Sequence, residues 1–379
     1  MNTRVAILDP LGSHGGMHYY DHDLASSLTR AGVEVDIFSP SPGLNLEQTY
    51  RSHVYFENVY GPEGGSKVRR AYRLSKEIIR SLRAAKKLNC NAVILHIFKS
   101  DIFELLIVRV AKFWRMRVYA IVHDVSRLDA PARFEFQTSI VKSAEALVVH
   151  NEYSKNALLK VNPLAAAKTA VIPHGNYVSQ FPLIPTMKVA RDILSISEEV
   201  VVLLFFGNPR REKGLALLLE ALEPFKNESR LLLLVAGKMK SEEEQLVTSQ
   251  LANLGIQERV RMSIGHVPDE MIPVYFGASS IVVLPYHRVY ESGVALMAMT
   301  LGRAILASDL PVFNELLAAS GGGVSFKSEN VASLSAEIAK VLNGYTDHEA
   351  LGLTANRFVW QQRDWTGIAK KWKALFNYE

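Results

Sequence analysis

The feature that most constrains this chain is a recurrence. Short runs of Val, Ile, Leu and Ala, each too short for a helix, alternate with stretches of helical spacing from one end to the other. In the first half the runs are 5–8, 33–38, 54–59, 92–98, 118–123, 146–150 and 170–172. In the second half they are 200–206, 231–236, 260–264, 281–284, 304–307 and 323–326. Near-continuous apolar runs suit strands buried on both faces, and their alternation with helices predicts parallel, Rossmann-like sheets rather than a sandwich or a barrel.

The chain has 379 residues, 48% of them hydrophobic, enough for two domains that each bury a core. The Pro-containing segment FPLIPTM, 181–187, reads as the linker, so we expect domains over 1–180 and 188–357. Cys90 is the single cysteine, which excludes a disulfide framework and a zinc cluster and suits a reducing cytoplasm. The opening MNTRVAILDP enters a strand at once with no signal-like apolar core, and no apolar run approaches the ~18 residues of a membrane span. A cytoplasmic location is therefore expected. No repeat, low-complexity tract or metal cluster stands out.

Chemistry concentrates where strands end. In FFGNPRREKG, 205–214, an apolar strand stops at Gly207, and Leu215, Leu218, Leu219 and Leu222 then repeat at helical spacing. Arg210, Arg211 and Lys213 thus sit ahead of a helix N-terminus, where cations oppose the macrodipole unless an anion arrives. A diphosphate would satisfy them; a solvated basic loop would carry the same residues. Gly15 and Gly16 lie between the first strand and its helix, where amides can approach a ligand or simply make the turn. His123 ends the strand RVYAIVHD beside Asp124, at the ligand edge of the sheet or as a satisfied structural group. Ser292 and Gly293 open a further helix, as a second anion site or as a cap alone.

Two other stretches are amphipathic. In 67–88, Leu74, Ile78, Leu82 and Ala85 share one face while Arg69, Arg70, Arg73, Lys76, Arg80, Arg83, Lys86 and Lys87 occupy the rest. KFWRMR, 112–117, adds a second basic patch. Such a helix suits an anionic membrane surface or a solvated face, whereas nucleic acid would call for interleaved aromatics. The C-terminal segment 358–376 carries Trp360, Trp365, Ile368, Trp372, Leu375 and Phe376, so many large groups that it must pack on something.

Taken in order, GGMHYYDHDLASSLTRAGVEVDIFSP, VIPHGN, FFGNPRREKG and SGVALMAMTLGRAILASD resemble the retaining nucleotide-sugar glycosyltransferases of the GT-B fold, family-four type, over nearly the whole chain. The resemblance implies an α/β fold of two Rossmann-like domains facing a central cleft, with a last helix, 358–379, crossing back to the first domain. It implies a UDP- or GDP-linked sugar donor, held mostly by the second domain, and a saccharide acceptor, lipid-linked in bacterial-type surface polysaccharide synthesis, on the first. By position the diphosphate ligands fall on Arg210 and Lys213, with Arg211 and Gly207 beside them, the glycine loop on Gly15 and Gly16, and the sugar-contacting histidine on His123. Where such enzymes carry two glutamates eight positions apart, this chain has Val289 and Met297; Glu291 is a candidate sugar contact, and Ser292 and Gly293 match a subgroup with that pair at the helix start.

The implied reaction is a front-face substitution in which Arg210, Lys213 and the helix start offset charge developing on the departing diphosphate, with no cofactor and no divalent ion required. Membrane association would then be peripheral, through the basic helix. A dinucleotide-dependent oxidoreductase is disfavoured because the first loop lacks G-x-G-x-x-G. A non-catalytic nucleotide-sugar-binding protein, for which Met297 argues, and an epimerase of the same fold remain as rivals.

Overall fold

The computed structural model describes residues 3–12, 16–42, 48–57, 59, 66–98, 101–125 and 138–377. The chain divides into two compact units, Met1–Gly175 with Arg363–Glu379, and Asn176–Gln362.

The first unit begins β1 (Arg4–Leu8), α1 (Met17–Arg30), β2 (Glu34–Ser39), β3 (Arg51–Val54), α2 (Lys67–Lys87), β4 (Ala92–Ile97) and α3 (Ile102–Phe113). It continues β5 (Arg117–Val122), α4 (Thr138–Ser143), β6 (Ala146–Val149), α5 (Glu152–Val161) and β7 (Thr169–Val171). Its sheet is parallel throughout, in the order β3-β2-β1-β4-β5-β6-β7. The order reverses between β1 and β4, and in open α/β sheets ligands bind outside the carboxyl ends of the strands at that point.

One expected strand moves. The run 54–59 pairs only through Val54, and the strand lies at Arg51–Val54 instead. Charge rather than hydrophobicity sets it: Arg51 Nε and His53 Nε2 reach the buried carboxylate of Asp36 on β2 at 3.3 and 2.8 Å. Phe56 then takes a left-handed φ of 64° and the chain turns away.

The second unit contains α6 (Met187–Ile193), β8 (Val201–Phe206), α7 (Leu215–Leu222), β9 (Leu231–Gly237), α8 (Ser241–Leu254), β10 (Val260–Ile264), α9 (Ile272–Ala278) and β11 (Ile281–Leu284). It ends with α10 (Gly293–Thr300), β12 (Ala304–Ser308), α11 (Pro311–Ser320), β13 (Gly323–Phe326), α12 (Val331–Leu342) and α13 (His348–Gln362). The strand order β10-β9-β8-β11-β12-β13 is again parallel, with its switch between β8 and β11. Leu218, Leu219 and Leu222 of α7 bury against Leu203, Leu233 and Val283 of the sheet, the stripe that the leucine spacing predicts.

The amphipathic tail is two helices, not one. Asp364 accepts hydrogen bonds from the amides of Thr366 and Gly367 at 3.1 and 2.8 Å, and so caps a new helix, α14 (Trp365–Phe376). Trp360, on α13, is 54% exposed and does not share the apolar face on which the sequence places it. Trp365, Ile368, Trp372 and Phe376 are buried in the first unit's core against Tyr20, Leu24 and Leu28 of α1. Each such side chain contributes roughly 1.5–3 kcal/mol on burial, which is what fastens the tail to this unit.

Candidate active site

In the second unit, β8 delivers the chain to Gly207, whose φ of 98° turns it out of the sheet. Residues Arg211–Lys213 form one 3-10 turn, and Gly214 at φ 69° starts α7. A side chain at 214 is excluded, since its Cβ would lie 1.8 Å from the Pro285 carbonyl oxygen. This loop is therefore seated on the one that follows β11, and the His287 amide donates to the Glu212 carbonyl at 2.9 Å. The two loops flank the switch point because β8 and β11 are neighbours.

The three cations are brought to this place. Lys213 Nζ stands 3.8 Å from the centroid of Tyr286, a buried ring that packs in turn on Phe313. Arg210 is exposed, with its guanidinium 3.6 Å from Glu212, and Arg211 is exposed beside it. An aromatic face holds a cation while leaving its hydrogen-bond donors to other partners.

The start of α10 completes the cluster. Ser292 is buried and its hydroxyl accepts from the Ala295 amide at 3.2 Å, while its own amide donates to Glu291 Oε1 at 3.1 Å. The first amides of a helix have no intrahelical partner, so those of Gly293 and Val294 remain for a ligand. Val294 lies against the Gly207 turn, where a Cβ built on Gly207 would meet its Cγ2 at 3.9 Å. Arg210, Arg211, Lys213, Gly207, Ser292 and Gly293 thus occupy one edge of one unit. Val289 and Met297 are both buried apolar side chains, 6% and 7% exposed.

In the first unit, Gly16 precedes α1 at φ 79°; Gly15 lies outside the described residues. His123 follows β5, half-buried, and it is one of a row. His96 is the penultimate residue of β4, His150 follows β6 and His174 lies just beyond β7. Parallel register, with Ile121 opposite Val148 and His96 opposite Ile121, brings all four to the same sheet edge. His123 and His150 ring centroids are 5.5 Å apart, as are those of His150 and His174. Tyr20 of α1 meets His96 and His123 edge-on at 5.8 and 6.2 Å.

Two of these histidines share a chain of bonds to a carboxylate. His96 Nε2 is 2.8 Å from Asp21 Oδ1, and His96 Nδ1 is 2.8 Å from His123 Nε2. Burial opposes charge on His96, but the charge and hydrogen bond of Asp21, with Asp9 behind them, prevail and raise its pKa. Burial first, then the neighbouring His96, His150 and His174, hold His123 well below the ordinary histidine value. Asp9, at the end of β1, accepts from the amides of Leu11 and Gly12 at 3.0 and 2.9 Å. Burial, and after it the charge of Asp21, push its carboxyl up to about 7.

Sequence reasoning finds His123 but misses Asp21, His96, His150 and His174, and on the other unit it misses Tyr286. The signal for the histidines is present in LHIF, IVHD, VVHN and IPHG, where a histidine lies at or shortly past the end of each of four neighbouring strands. Only the strand register makes them a set. Among the described residues no group of His, Cys, Asp and Glu could hold a metal ion, and no helix is long and apolar enough to cross a membrane.

Comparison with known proteins adds the following. Residues 187–358 match the family described as glycosyl transferases group 1, and residues 14–177 the one described as glycosyltransferase family 4. The chain is 25% identical over 219 residues to the lipopolysaccharide 1,2-N-acetylglucosaminetransferase of Salmonella typhimurium, a match spanning 55% of this chain and 56% of that one. It is 23% identical over 354 residues to the D-inositol 3-phosphate glycosyltransferase of Gordonia bronchialis, spanning 87% and 77%. A third relative, from Methanocaldococcus jannaschii, is matched over 46% of its length, so the chain spans about half of some relatives. Among solved structures, sucrose-phosphate synthase from Thermosynechococcus elongatus superposes with a TM-score of 0.78 at 18% identity, over 99% of this chain and 98% of that. Anabaena HepE in complex with UDP-glucose does so at 0.78 and 17%, over all of both chains.

Proposed function

Since this chain belongs to the GT-B glycosyltransferases of group 1, we propose that it moves a sugar, with retention of configuration, from a UDP- or GDP-linked donor to a saccharide acceptor. The observation that carries the reading is the convergence of Arg210, Lys213 and the free start of α10 at the switch point of the second unit. Cations and helix amides at one point form a site for a diphosphate, and they are worth most where charge develops as the sugar–phosphate bond breaks. Arg210 and Lys213 would offset that charge, with Arg211, Gly207, Ser292 and Gly293 shaping the site and Glu291 meeting the sugar. These groups supply the countercharge without a divalent ion. His123, with one ring nitrogen on His96, would present the other to a sugar hydroxyl.

The acceptor is proposed to be lipid-linked, in surface polysaccharide synthesis, as the names of the Salmonella relative and of a GDP-mannose:cellobiosyl-diphosphopolyprenol alpha-mannosyltransferase suggest. Helix α2 supports this. It buries Leu74, Ile78, Leu82 and Ala85 and exposes Val68 and Tyr72, at 80% and 69%, among Lys67, Arg69, Lys76, Arg80, Arg83, Lys86 and Lys87. Exposed apolar groups within a cationic field suit an anionic bilayer surface.

A second reading is a nucleotide-sugar-binding protein without turnover. It is favoured by the two buried apolar side chains, Val289 and Met297, at the positions where the family resemblance expects glutamates. Titration calorimetry with UDP and GDP, with and without EDTA, tests what the two readings share. Micromolar binding that is unchanged by EDTA and lost in Lys213→Ala is the expected result; no binding of either nucleotide overturns both.

A further inference from the structure

Behind His123 lie buried polar groups to which sugar transfer as proposed assigns no role. His96 and Asp21 are 7% and 2% exposed, and they join His123 in a continuous line from Asp21 Oδ1 through both nitrogens of His96 to His123 Nε2, each contact 2.8 Å. Phe98 stacks on the His123 ring at 4.6 Å and 7°, and Tyr20 meets it edge-on, so the imidazole has little freedom to flip. Among the described residues Nδ1 of His123 has no hydrogen-bond partner, and it is the nitrogen left for a ligand.

A hydrogen bond between two imidazoles holds one proton, and its direction depends on the charge of the pair. With His96 protonated, Nε2–H donates to the Asp21 carboxylate and Nδ1–H donates to His123 Nε2. A neutral His123 must then carry its own proton on Nδ1, so it offers a donor. When the line loses one proton to solvent, that on His123 Nδ1 is the one that departs, and the bridging proton shifts from His96 Nδ1 to His123 Nε2. His96 remains bonded to Asp21 through Nε2–H, while His123 Nδ1 is bare and offers an acceptor. We propose that Asp21 and His96 are positioning residues that set the tautomer of His123, so that the first unit presents a hydrogen-bond donor to the sugar while His96 is protonated and an acceptor once it is neutral. This rests on the reading that His123 meets the transferred sugar.

The surroundings favour the donor form. His96 faces the carboxylates of Asp21 on α1 and Asp9 after β1, and on its other side the rings of His123 and Phe98 and the edge of Tyr20. His150 and His174 act on His123 and disfavour charge there. Positive charge therefore settles on His96, and its raised pKa carries the donor form to higher pH than an ordinary histidine would, to be lost as pH rises through that value.

The test is a long-range proton–nitrogen NMR titration of the full chain labelled at the histidine rings, with the His123 signals identified by their absence in His123→Gln. The expected result is His123 neutral throughout, its proton on Nδ1 at pH 6.5 and on Nε2 once His96 has titrated. In Asp21→Asn the crossover should move down by about 1–3 pH units, the usual effect of removing an adjacent opposite charge. In His96→Gln it should vanish. A His123 tautomer that does not change as His96 titrates in the wild-type chain overturns the proposal, whether or not either variant folds. Transfer rates measured beside the spectra separate the two ideas. A fall in kcat following the crossover in both wild type and Asp21→Asn supports the relay and its use. A crossover that kcat ignores leaves the relay standing and removes His123 from the sugar.

Discussion

Lys213 offers the sharpest separation of chemistry from folding. Its Nζ lies 3.8 Å from the Tyr286 centroid and makes no ion pair among the described residues, so in the unliganded protein it contributes little beyond a cation–π contact. That contact is worth about 0.5–1 kcal/mol at a partly exposed site. Lys213→Met keeps the aliphatic stem over the ring, and should lower Tm by no more than about 2–4 °C for a unit of this size. Loss of one preorganised charge from a developing diphosphate is far larger, roughly 10²–10³ in kcat or about 2.7–4 kcal/mol. The assay is nucleotide release from a UDP- or GDP-sugar with acceptor present, beside a thermal melt of the same samples. A fall in kcat below about fivefold with unchanged donor KM would refute the assignment of Lys213 to the leaving group. A Tm drop large enough to unfold the protein would refute the claim that its role in the unliganded state is slight.

Other outcomes follow from the same geometry. Gly214→Ala should destabilise by about 1–2 kcal/mol through its left-handed φ alone, with the clash on the Pro285 carbonyl added, and should weaken UDP or GDP binding at least about tenfold; chemical denaturation and calorimetry measure both. Asp9, with its folded pKa raised to about 7, binds a proton in the folded state that the unfolded chain has lost, so this carboxyl's contribution falls as pH rises from about 4 to 7. Over that window the loss is at most about 4 kcal/mol, and Asp9→Asn, which can still accept from Leu11 and Gly12, should flatten the dependence of denaturation midpoint on pH. Neutralising the exposed Arg69, Lys76, Arg83 and Lys86 together should abolish sedimentation with anionic vesicles at about 1 kcal/mol per cation. Unchanged binding there would remove the membrane from the proposal.

The parallel sheets were legible because their strands are buried on both faces and read as apolar runs. The edge strand β3 was not, because Arg51, Ser52 and His53 enter the sheet through a buried Asp36, and ion pairing leaves no periodic trace. The break in the tail at Asp364 was hidden by two amphipathic helices in succession, where a cap rather than a change of pattern marks the boundary. For the second unit's site, the basic loop and the Ser292 cap are each contiguous in sequence and could be read there. Tyr286 and the seating of Gly214 on Pro285 come from a different loop and required the fold. The histidine row is the same lesson at longer range. Its members are 27, 27 and 24 residues apart, and only the parallel register of neighbouring strands brings them to one edge.

The most direct test of the central claim is sugar transfer itself. A panel of UDP- and GDP-linked sugars would be incubated with a lipid-linked saccharide extract, and the product linkage read by NMR, for the natural chain and for Lys213→Ala. Transfer that requires the extract, keeps the anomeric configuration of the donor and collapses in the folded variant is the predicted result. Nucleotide binding with no transfer from any donor would contradict it, and would leave a protein that binds nucleotide sugars without using them.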